Sequence, residues 1–172
     1  MKTKLNLGCG ARHFDTHLNV DLVPDVKPDL VMDLNRFPYP LPDGHFEETL
    51  VYDVVEHVAD LVGFMREIHR ISRPGGRLVV TTPHFSCANS YTDPTHTRHM
   101  GWFSFDYFLV DGTTHNYGLR GFRIRHRSLV FRPTLVNKLV WRLANRHPHA
   151  YEQRWAWLFP AWFLSFELEA VK

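Results

Sequence analysis

The first half of the chain alternates short apolar runs with polar segments that contain glycine or proline. Such runs are typical of buried β-strands, and the pattern predicts strands at residues 4–7, 18–22, 30–34, 48–55 and 77–82. Between the last two, apolar residues recur at helical spacing over residues 59–72, which predicts an amphipathic helix. We expect these strands, linked by crossover segments, to form a parallel sheet that is covered on both faces.

The second half is less regular. Residues 84–108 are polar and aromatic without clear periodicity, which is typical of a functional loop rather than a disordered one. Beyond it the pattern predicts a strand at residues 122–131, a basic amphipathic helix at 134–146 and a closing strand at about 165–171. With 172 residues and 44% apolar content, the chain is expected to form one domain, residues 1–172, with a first half at about 1–86 and a second at about 87–172.

The composition of the chain limits which binding partners and which cellular compartment we expect. The formal net charge is only +2, so we expect no binding of double-stranded nucleic acid. Cys9 and Cys87 are the only cysteines, and the N-terminus shows no signal-like or membrane-spanning run. Both features favour a cytoplasmic protein with reduced thiols.

Glycines and an acid follow the first two predicted strands, where an open parallel sheet binds its ligands. Gly8 and Gly10 allow a ligand to approach the backbone, and Asp21 can accept hydrogen bonds from a ribose diol. The pattern therefore predicts an adenosine-type ligand. A dinucleotide fingerprint would have a third glycine where this chain has His13, and its acid would lie further along the chain.

Four segments together carry a family resemblance: "LNLGCG", "NVDL", "MDLNRFPYPLPDGHFEETLVYDVVEHV" and "ISRPGGRLVVTTPHFS". They resemble the successive motifs of class I S-adenosylmethionine-dependent methyltransferases over residues 4–86. The resemblance implies an α/β, Rossmann-like fold with a mostly parallel seven-stranded sheet and an antiparallel C-terminal strand. It also implies S-adenosyl-L-methionine as the cofactor of a methyl-transferring enzyme.

The same resemblance implies which residues hold the cofactor, all of them near the carboxyl ends of strands: Gly8, Cys9, Gly10, Asp21, Leu22, Asp33, Leu34 and Asp53. The glycine-containing loop would wrap the methionine portion, and Asp21 would hold the ribose hydroxyls. Asp33 would receive the adenine amino group, with Leu34 beside the base. Asp53 would lie near the methionine and sulfonium end.

Two features depart from the family pattern. Many relatives have an acid where this chain has Asn6, so Asp53 is the nearest candidate to pair with the methionine ammonium. Only about eight residues separate Gly10 from the next strand, whereas a helical crossover usually takes a dozen or more. The sequence therefore predicts a reduced or absent first crossover helix, which would leave the cofactor more exposed on that side.

Histidines are the candidate catalytic residues. Transfer of a methyl group to a hydroxyl requires alignment and a proton acceptor, and His57, His84 and His96 can each be brought to the ends of the strands. The abundance of histidines favours O-methylation of a small-molecule or glycan-type acceptor. Two alternatives remain: a non-catalytic protein that binds S-adenosylmethionine or a partner, and a nicotinamide-dependent oxidoreductase, which the glycine pattern disfavours.

Two sets of acids and histidines could ligate a metal ion: Asp53, Glu56, His57 and His84, or Asp93, His96 and His99. Neither set has the close Cys/His spacing of a zinc motif, so we assign no metal ligands.

The C-terminal region suggests a surface for contact. The basic helix predicted at 134–146 precedes the aromatic segment "YEQRWAWLFPAW". Aromatic anchors next to arginines are typical of peripheral contact with a membrane. The alternative is that the aromatic residues cover the sheet or form a homodimer interface.

Overall fold

Seven strands form one sheet in the described part of the chain, which comprises residues 2–112 and 117–172 of a computed structural model. The strands are β1 (Lys4–Leu7), β2 (His17–Asp21), β3 (Leu30–Val31), β4 (Phe46–Tyr52), β5 (Ser72–Pro83), β6 (Phe122–Val130) and β7 (Phe163–Ala170). Their order is β3-β2-β1-β4-β5-β7-β6. The first five pair in parallel, and β7 runs antiparallel to both β5 and β6. The predicted mostly parallel sheet with an antiparallel C-terminal strand is confirmed.

Four α-helices accompany the sheet in these residues: α1 (Leu61–Ile71), α2 (Asn89–Thr92), α3 (Leu135–Arg146) and α4 (Pro148–Arg154). Helix α1 begins two residues later than predicted because Asp60 caps it, accepting a hydrogen bond from the Gly63 N–H. Thr134 caps α3 in the same way. No helix in residues 2–112 and 117–172 combines the length and the apolar character needed to cross a bilayer.

The connection between β1 and β2 contains no helix, which confirms the predicted loss of the first crossover helix. Two asparagines that face each other across the strand pair hold this loop instead. The Asn6 amide donates to the Arg12 carbonyl at 2.7 Å and to Asn19 Oδ1 at 3.0 Å. Asn19 Oδ1 also accepts from the Phe14 N–H at 3.1 Å. An aspartate at position 6 could not donate these bonds, which explains why asparagine suits a loop without a helix.

The two faces of the sheet differ in character. Residues paired across strands share a face, so the pairing shows which side chains lie on each one. One face contributes Leu7, Val20, Val51 and Val80 to the hydrophobic core, together with the apolar side of α1. The other face carries ion pairs, with Glu48 held by Arg77 at 2.6 Å and by Lys4 at 3.4 Å. The alternation of strands and crossover segments predicts cover on both faces. Helix α1 packs on the first face, and the second carries the ion pairs of the strands themselves.

Strand β5 begins earlier than predicted and contains a bulge. Residues 73–76 lie between the predicted helix at 59–72 and the predicted strand at 77–82, and their proline and two glycines are typical of a turn. In the structure the pairing runs from Phe46–Ser72 directly to Glu48–Arg77. The extra residues are accommodated by Gly75, whose φ is +74°. The turn-forming sequence therefore bends the strand without ending it.

Candidate cofactor and acceptor site

The loop after β1 and the end of β4 enclose a pocket of about 580 Å³. Gly8, Cys9, Gly10 and Asp53 line it, as the sequence predicted for the cofactor, together with Asn6, Ala11, Arg12 and Tyr52. Gly8 has a φ of +64°, and a Cβ there would lie 2.4 Å from Val54 Cγ2. Glycine is therefore required at position 8 by both the backbone angle and the close approach.

Asp21 lies beside this pocket, at the end of β2. Its Oδ2 accepts from the Gly10 N–H at 2.8 Å and its Oδ1 from the Val23 N–H at 2.9 Å. Each carboxylate oxygen keeps a further lone pair for a ligand hydroxyl. The carboxylate therefore fixes the glycine-containing loop and remains able to accept from a diol.

Asp53 is held in an unusual conformation directly after β4. Its φ is +58°, which is uncommon for a residue with a side chain and is concentrated at functional sites. Two hydrogen bonds to Thr81 stabilise this conformation. The Asp53 N–H donates to the Thr81 carbonyl at 2.9 Å, and the Thr81 hydroxyl donates to Asp53 Oδ1 at 3.0 Å. The carboxylate is thus directed by the neighbouring strand.

Sequence reasoning missed Arg12 and Tyr52 in this pocket. The Arg12 guanidinium lies 4.9 Å from the centre of the Tyr52 ring, a cation–π contact. The position of Tyr52 next to Asp53 was a usable signal, since the end of a strand points toward the site. No sequence pattern marks Arg12, because its position depends on the irregular loop after β1.

Four predicted cofactor residues do not line this pocket: Asp21, which lies beside it, and Leu22, Asp33 and Leu34. Leu22 is 59% exposed after β2. Asp33 follows β3, where its Oδ1 accepts from the Asn35 N–H at 2.9 Å and its Oδ2 lies 3.3 Å from Arg36 Nε. Leu34 is partly buried against the core. All four lie at or just beyond the carboxyl ends of β2 and β3.

A second pocket, of about 600 Å³, adjoins the first, and Asp53 lines both. Glu56, His57 and His96 line the second pocket, with Asp93 and Phe163 among its other residues. The ring centres of His57 and His96 are 4.7 Å apart. The structure therefore brings together two of the three predicted catalytic histidines, although 39 positions separate them in the sequence.

Glu56 is a member of this group that was not among the predicted catalytic residues. It is 2% exposed, and its Oε2 accepts from the Thr82 hydroxyl at 2.9 Å. Burial raises the pKa of this carboxyl to about 7. Its backbone carbonyl accepts from the Thr97 N–H at 2.8 Å, which ties the loop that carries His96 to the end of β4.

His84, the third predicted catalytic histidine, has a different environment. It is fully buried, and its Nδ1 accepts from the Ser86 N–H at 3.2 Å. Its Nε2 therefore carries the proton and donates to Glu152 Oε1 of α4 at 3.2 Å. Both ring nitrogens are occupied, and the imidazole lines neither of the two pockets.

Part of the chain is similar in sequence to known methyltransferases. A family model described as a methyltransferase domain matches residues 5–80. A Mycobacterium tuberculosis protein named "Probable S-adenosylmethionine-dependent methyltransferase" is 32% identical over 109 residues, which cover 56% of this chain and 40% of the relative. The chain thus spans about two fifths of the length of that relative.

Solved structures show the same fold. A SAM-dependent methyltransferase from Archaeoglobus fulgidus superposes with a TM-score of 0.70 at 18% identity, covering 96% of this chain and 85% of the other. A complex of the Haloferax volcanii Trm112 methyltransferase activator with a methyltransferase gives a TM-score of 0.62 at 14% identity, covering 99% and 82%. Residues 5–80 are therefore similar to a methyltransferase domain, and the chain as a whole has the fold that these S-adenosylmethionine-dependent methyltransferases share.

Proposed function

We propose that this protein transfers a methyl group from S-adenosyl-L-methionine to an oxygen atom of a small-molecule or glycan-type acceptor. The observation that carries the proposal is the pair of adjoining pockets that share Asp53. One is lined by the glycine-containing loop, and the other by ionisable side chains. Methyl transfer needs such a junction, because donor and acceptor must meet in line.

The residues of the first pocket suit the cofactor. Its volume of about 580 Å³ is in the range of small-molecule sites. A Cβ at Gly10 would meet no atom within 4 Å, so this side of the loop is open to a ligand. When bound, the cofactor supplies an electrophilic methyl group on a sulfonium. We assign Asp21 to the ribose hydroxyls and Asp53 to the methionine ammonium, with Leu22, Asp33 and Leu34 on the adenine side.

The second pocket suits an acceptor that must lose a proton. His57 and His96 each keep the lone pair of one ring nitrogen, because the Thr95 hydroxyl and the Ser90 carbonyl accept from the other. Burial raises the pKa of Glu56 to about 7. We assign the activation of the acceptor hydroxyl to this group. A nearby proton-accepting site contributes to the transfer because the attacking oxygen becomes more nucleophilic as it loses its proton.

Calorimetry with S-adenosylmethionine, S-adenosylhomocysteine and NAD tests the donor. We expect saturable binding of the first two and none of NAD. Tighter binding of NAD would overturn the assignment in favour of an oxidoreductase.

A methyl-transfer screen over sugars, phenols, amines and lipid-linked glycans then tests the acceptor, and we expect products methylated on oxygen. Cofactor binding without transfer to any of them would favour the non-catalytic alternative.

We also propose that α3 and the segment after α4 contact an anionic membrane surface. Large apolar side chains are exposed there: Leu135, Val136, Leu139, Trp141, Leu143, Trp155, Trp157 and Leu158. Leu135 is 86% exposed and Trp157 68%. Residues 112–151 contain no aspartate or glutamate, whereas α3 and its flanks carry Arg132, Lys138, Arg142 and Arg146. Apolar anchors with positive charge around them match a lipid surface with negative headgroups.

Flotation with vesicles tests this surface. We expect the protein to float with phosphatidylserine-containing vesicles and to bind pure phosphatidylcholine at least tenfold less. Exchange of Leu139 for Glu should abolish flotation, whereas exchange of the exposed Asp25 for Asn should leave it unchanged. If the protein stays unbound and instead forms a dimer that Leu139→Glu disrupts, the surface is a homodimer interface and the membrane proposal fails.

A further inference from the structure

We propose that Glu56, His57 and His96 bind a divalent transition-metal ion, such as Zn²⁺, in the acceptor pocket. One ligand atom of each of these residues lies within 4.8 Å of the others. Glu56 and His57 belong to the segment that follows β4, and His96 belongs to the loop that follows α2. The role of the ion in catalysis rests on the proposed function, but the binding site itself does not.

One carboxylate oxygen of Glu56 is buried without a partner. Glu56 is 2% exposed, and within the part of the chain that the structure describes its Oε1 has no hydrogen-bond partner. An oxygen of this kind is costly to bury, and such groups usually have an explanation in a ligand or an ion. A cation beside Oε1 would satisfy it while Oε2 keeps its bond to the Thr82 hydroxyl.

The hydrogen bonds of the two histidines leave Nε2 of each ring free to bind a metal ion. His96 Nδ1 lies 3.1 Å from the Ser90 carbonyl, which can only accept, so Nδ1 carries the proton and Nε2 keeps a lone pair. The Thr95 hydroxyl donates to Asp93 Oδ1 at 2.6 Å and must therefore accept from His57 Nδ1 at 2.8 Å. His57 thus also keeps its lone pair on Nε2. Metal-binding histidines characteristically donate their other ring N–H to a carbonyl or to a carboxylate-linked group.

The three residues already lie close together. The Thr97 N–H and hydroxyl both bond to the Glu56 carbonyl, at 2.8 and 3.0 Å, so His96 is held close to Glu56. Ligands around one ion lie about 3–3.5 Å apart when the bonds are about 2.0–2.2 Å long. The three atoms would therefore need to draw together by only about 1–2 Å, which side-chain rotation can supply.

The ligand set indicates the class of ion and of acceptor. Two imidazoles and one carboxylate favour Zn²⁺, Fe²⁺ or Mn²⁺ over Mg²⁺ and Ca²⁺. Three protein ligands leave positions open toward the pocket, which an acceptor with two neighbouring oxygens, such as a vicinal diol, could occupy. With the ion bound, the two ring nitrogens could no longer accept a proton themselves. The group would instead act through the ion, which would lower the pKa of a bound hydroxyl so that it releases its proton to water and its oxygen can attack the methyl carbon.

Metal titration of the purified chain, after dialysis against EDTA and then metal-free buffer, tests the site. We expect one equivalent of Zn²⁺ to bind with a micromolar or tighter Kd, and Mg²⁺ to bind at least 100-fold more weakly. Co²⁺ should give a visible d–d spectrum that Zn²⁺ abolishes. Exchange of His96 for Ala or of Glu56 for Gln should weaken Zn²⁺ binding at least tenfold, with S-adenosylmethionine binding retained as the check on folding.

His99→Ala is the matched control, since His99 lies on the same loop and its Nδ1 bonds to the Ser90 hydroxyl at 2.9 Å. We expect this variant to bind Zn²⁺ as the wild type does. The proposal fails if no stoichiometric Zn²⁺ binds, if His96→Ala binds normally, or if His99→Ala is the variant that loses the ion. Methyl transfer by fully chelated protein that binds no Zn²⁺ would leave the proposed function intact, whereas Zn²⁺ binding without any transfer would refute only that function.

Discussion

Replacement of Asp21 by Ala is expected to weaken binding of S-adenosylmethionine by about 1–3 kcal/mol, or roughly 5- to 150-fold in Kd. The carboxylate is the group we assign to the ribose diol, and it also holds the Gly10 and Val23 N–H groups. Its loss would remove the ligand contact and loosen the glycine-containing loop together. Isothermal titration gives the affinity directly.

Two comparisons sharpen this test. Asp25→Asn changes an exposed acid four positions further on and should leave the affinity unchanged. A cofactor analogue that lacks the ribose 2′-hydroxyl should lose less affinity than the natural cofactor when Asp21 is replaced, because one of the contacts is already absent. Wild-type affinity in Asp21→Ala would contradict the ribose assignment.

Replacement of His84 by Ala is expected to destabilise the fold by about 2–4 kcal/mol, because it creates a cavity and leaves buried polar groups unpaired. For a chain of this size that corresponds to a fall in Tm of about 4–16 °C. The fully buried imidazole links the segment after β5 to Glu152 of α4, whose carboxylate also accepts from the Trp102 N–H. Thermal unfolding followed by circular dichroism measures the change.

His149→Ala provides the matched comparison, since this histidine is exposed on α4 and should not affect Tm. Folded His84→Ala protein should bind S-adenosylmethionine nearly as well as the wild type. An unchanged Tm with lost turnover would instead support the catalytic role that the sequence suggested for His84.

Much of the structure of the first half of the chain could be predicted, because the signals that determine it are local in the sequence. An apolar run predicts β1, and helical periodicity predicts α1. The small number of residues between Gly10 and β2 predicts that the crossover helix is missing. The acids at strand ends were also visible, since chain position alone places Asp21 and Asp53 at one edge of a parallel sheet.

The second pocket and the environment of His84 depend on contacts between residues distant in the sequence. His84 follows its strand as predicted, but its side chain is fixed by Glu152, which lies 68 positions away. The grouping of Glu56 and His57 with His96 results from the Thr97 bonds to the Glu56 carbonyl, which no periodicity reveals. The bulge at residues 73–76 was hidden because a turn-forming sequence was accommodated within a strand.

The helix-free link between β1 and β2 has a consequence for how the chain folds. Lys4 pairs with His17, so the first two parallel strands meet across a separation of only 13 positions. Compared with a link of about 25 residues, a link of about nine lowers the entropic cost of loop closure by about 0.9 kcal/mol. Parallel pairing is ordinarily slow because its contacts are far apart in sequence. Here the strands that carry the glycine-containing loop and Asp21 can associate as a local unit, before the distant C-terminal strands complete the sheet.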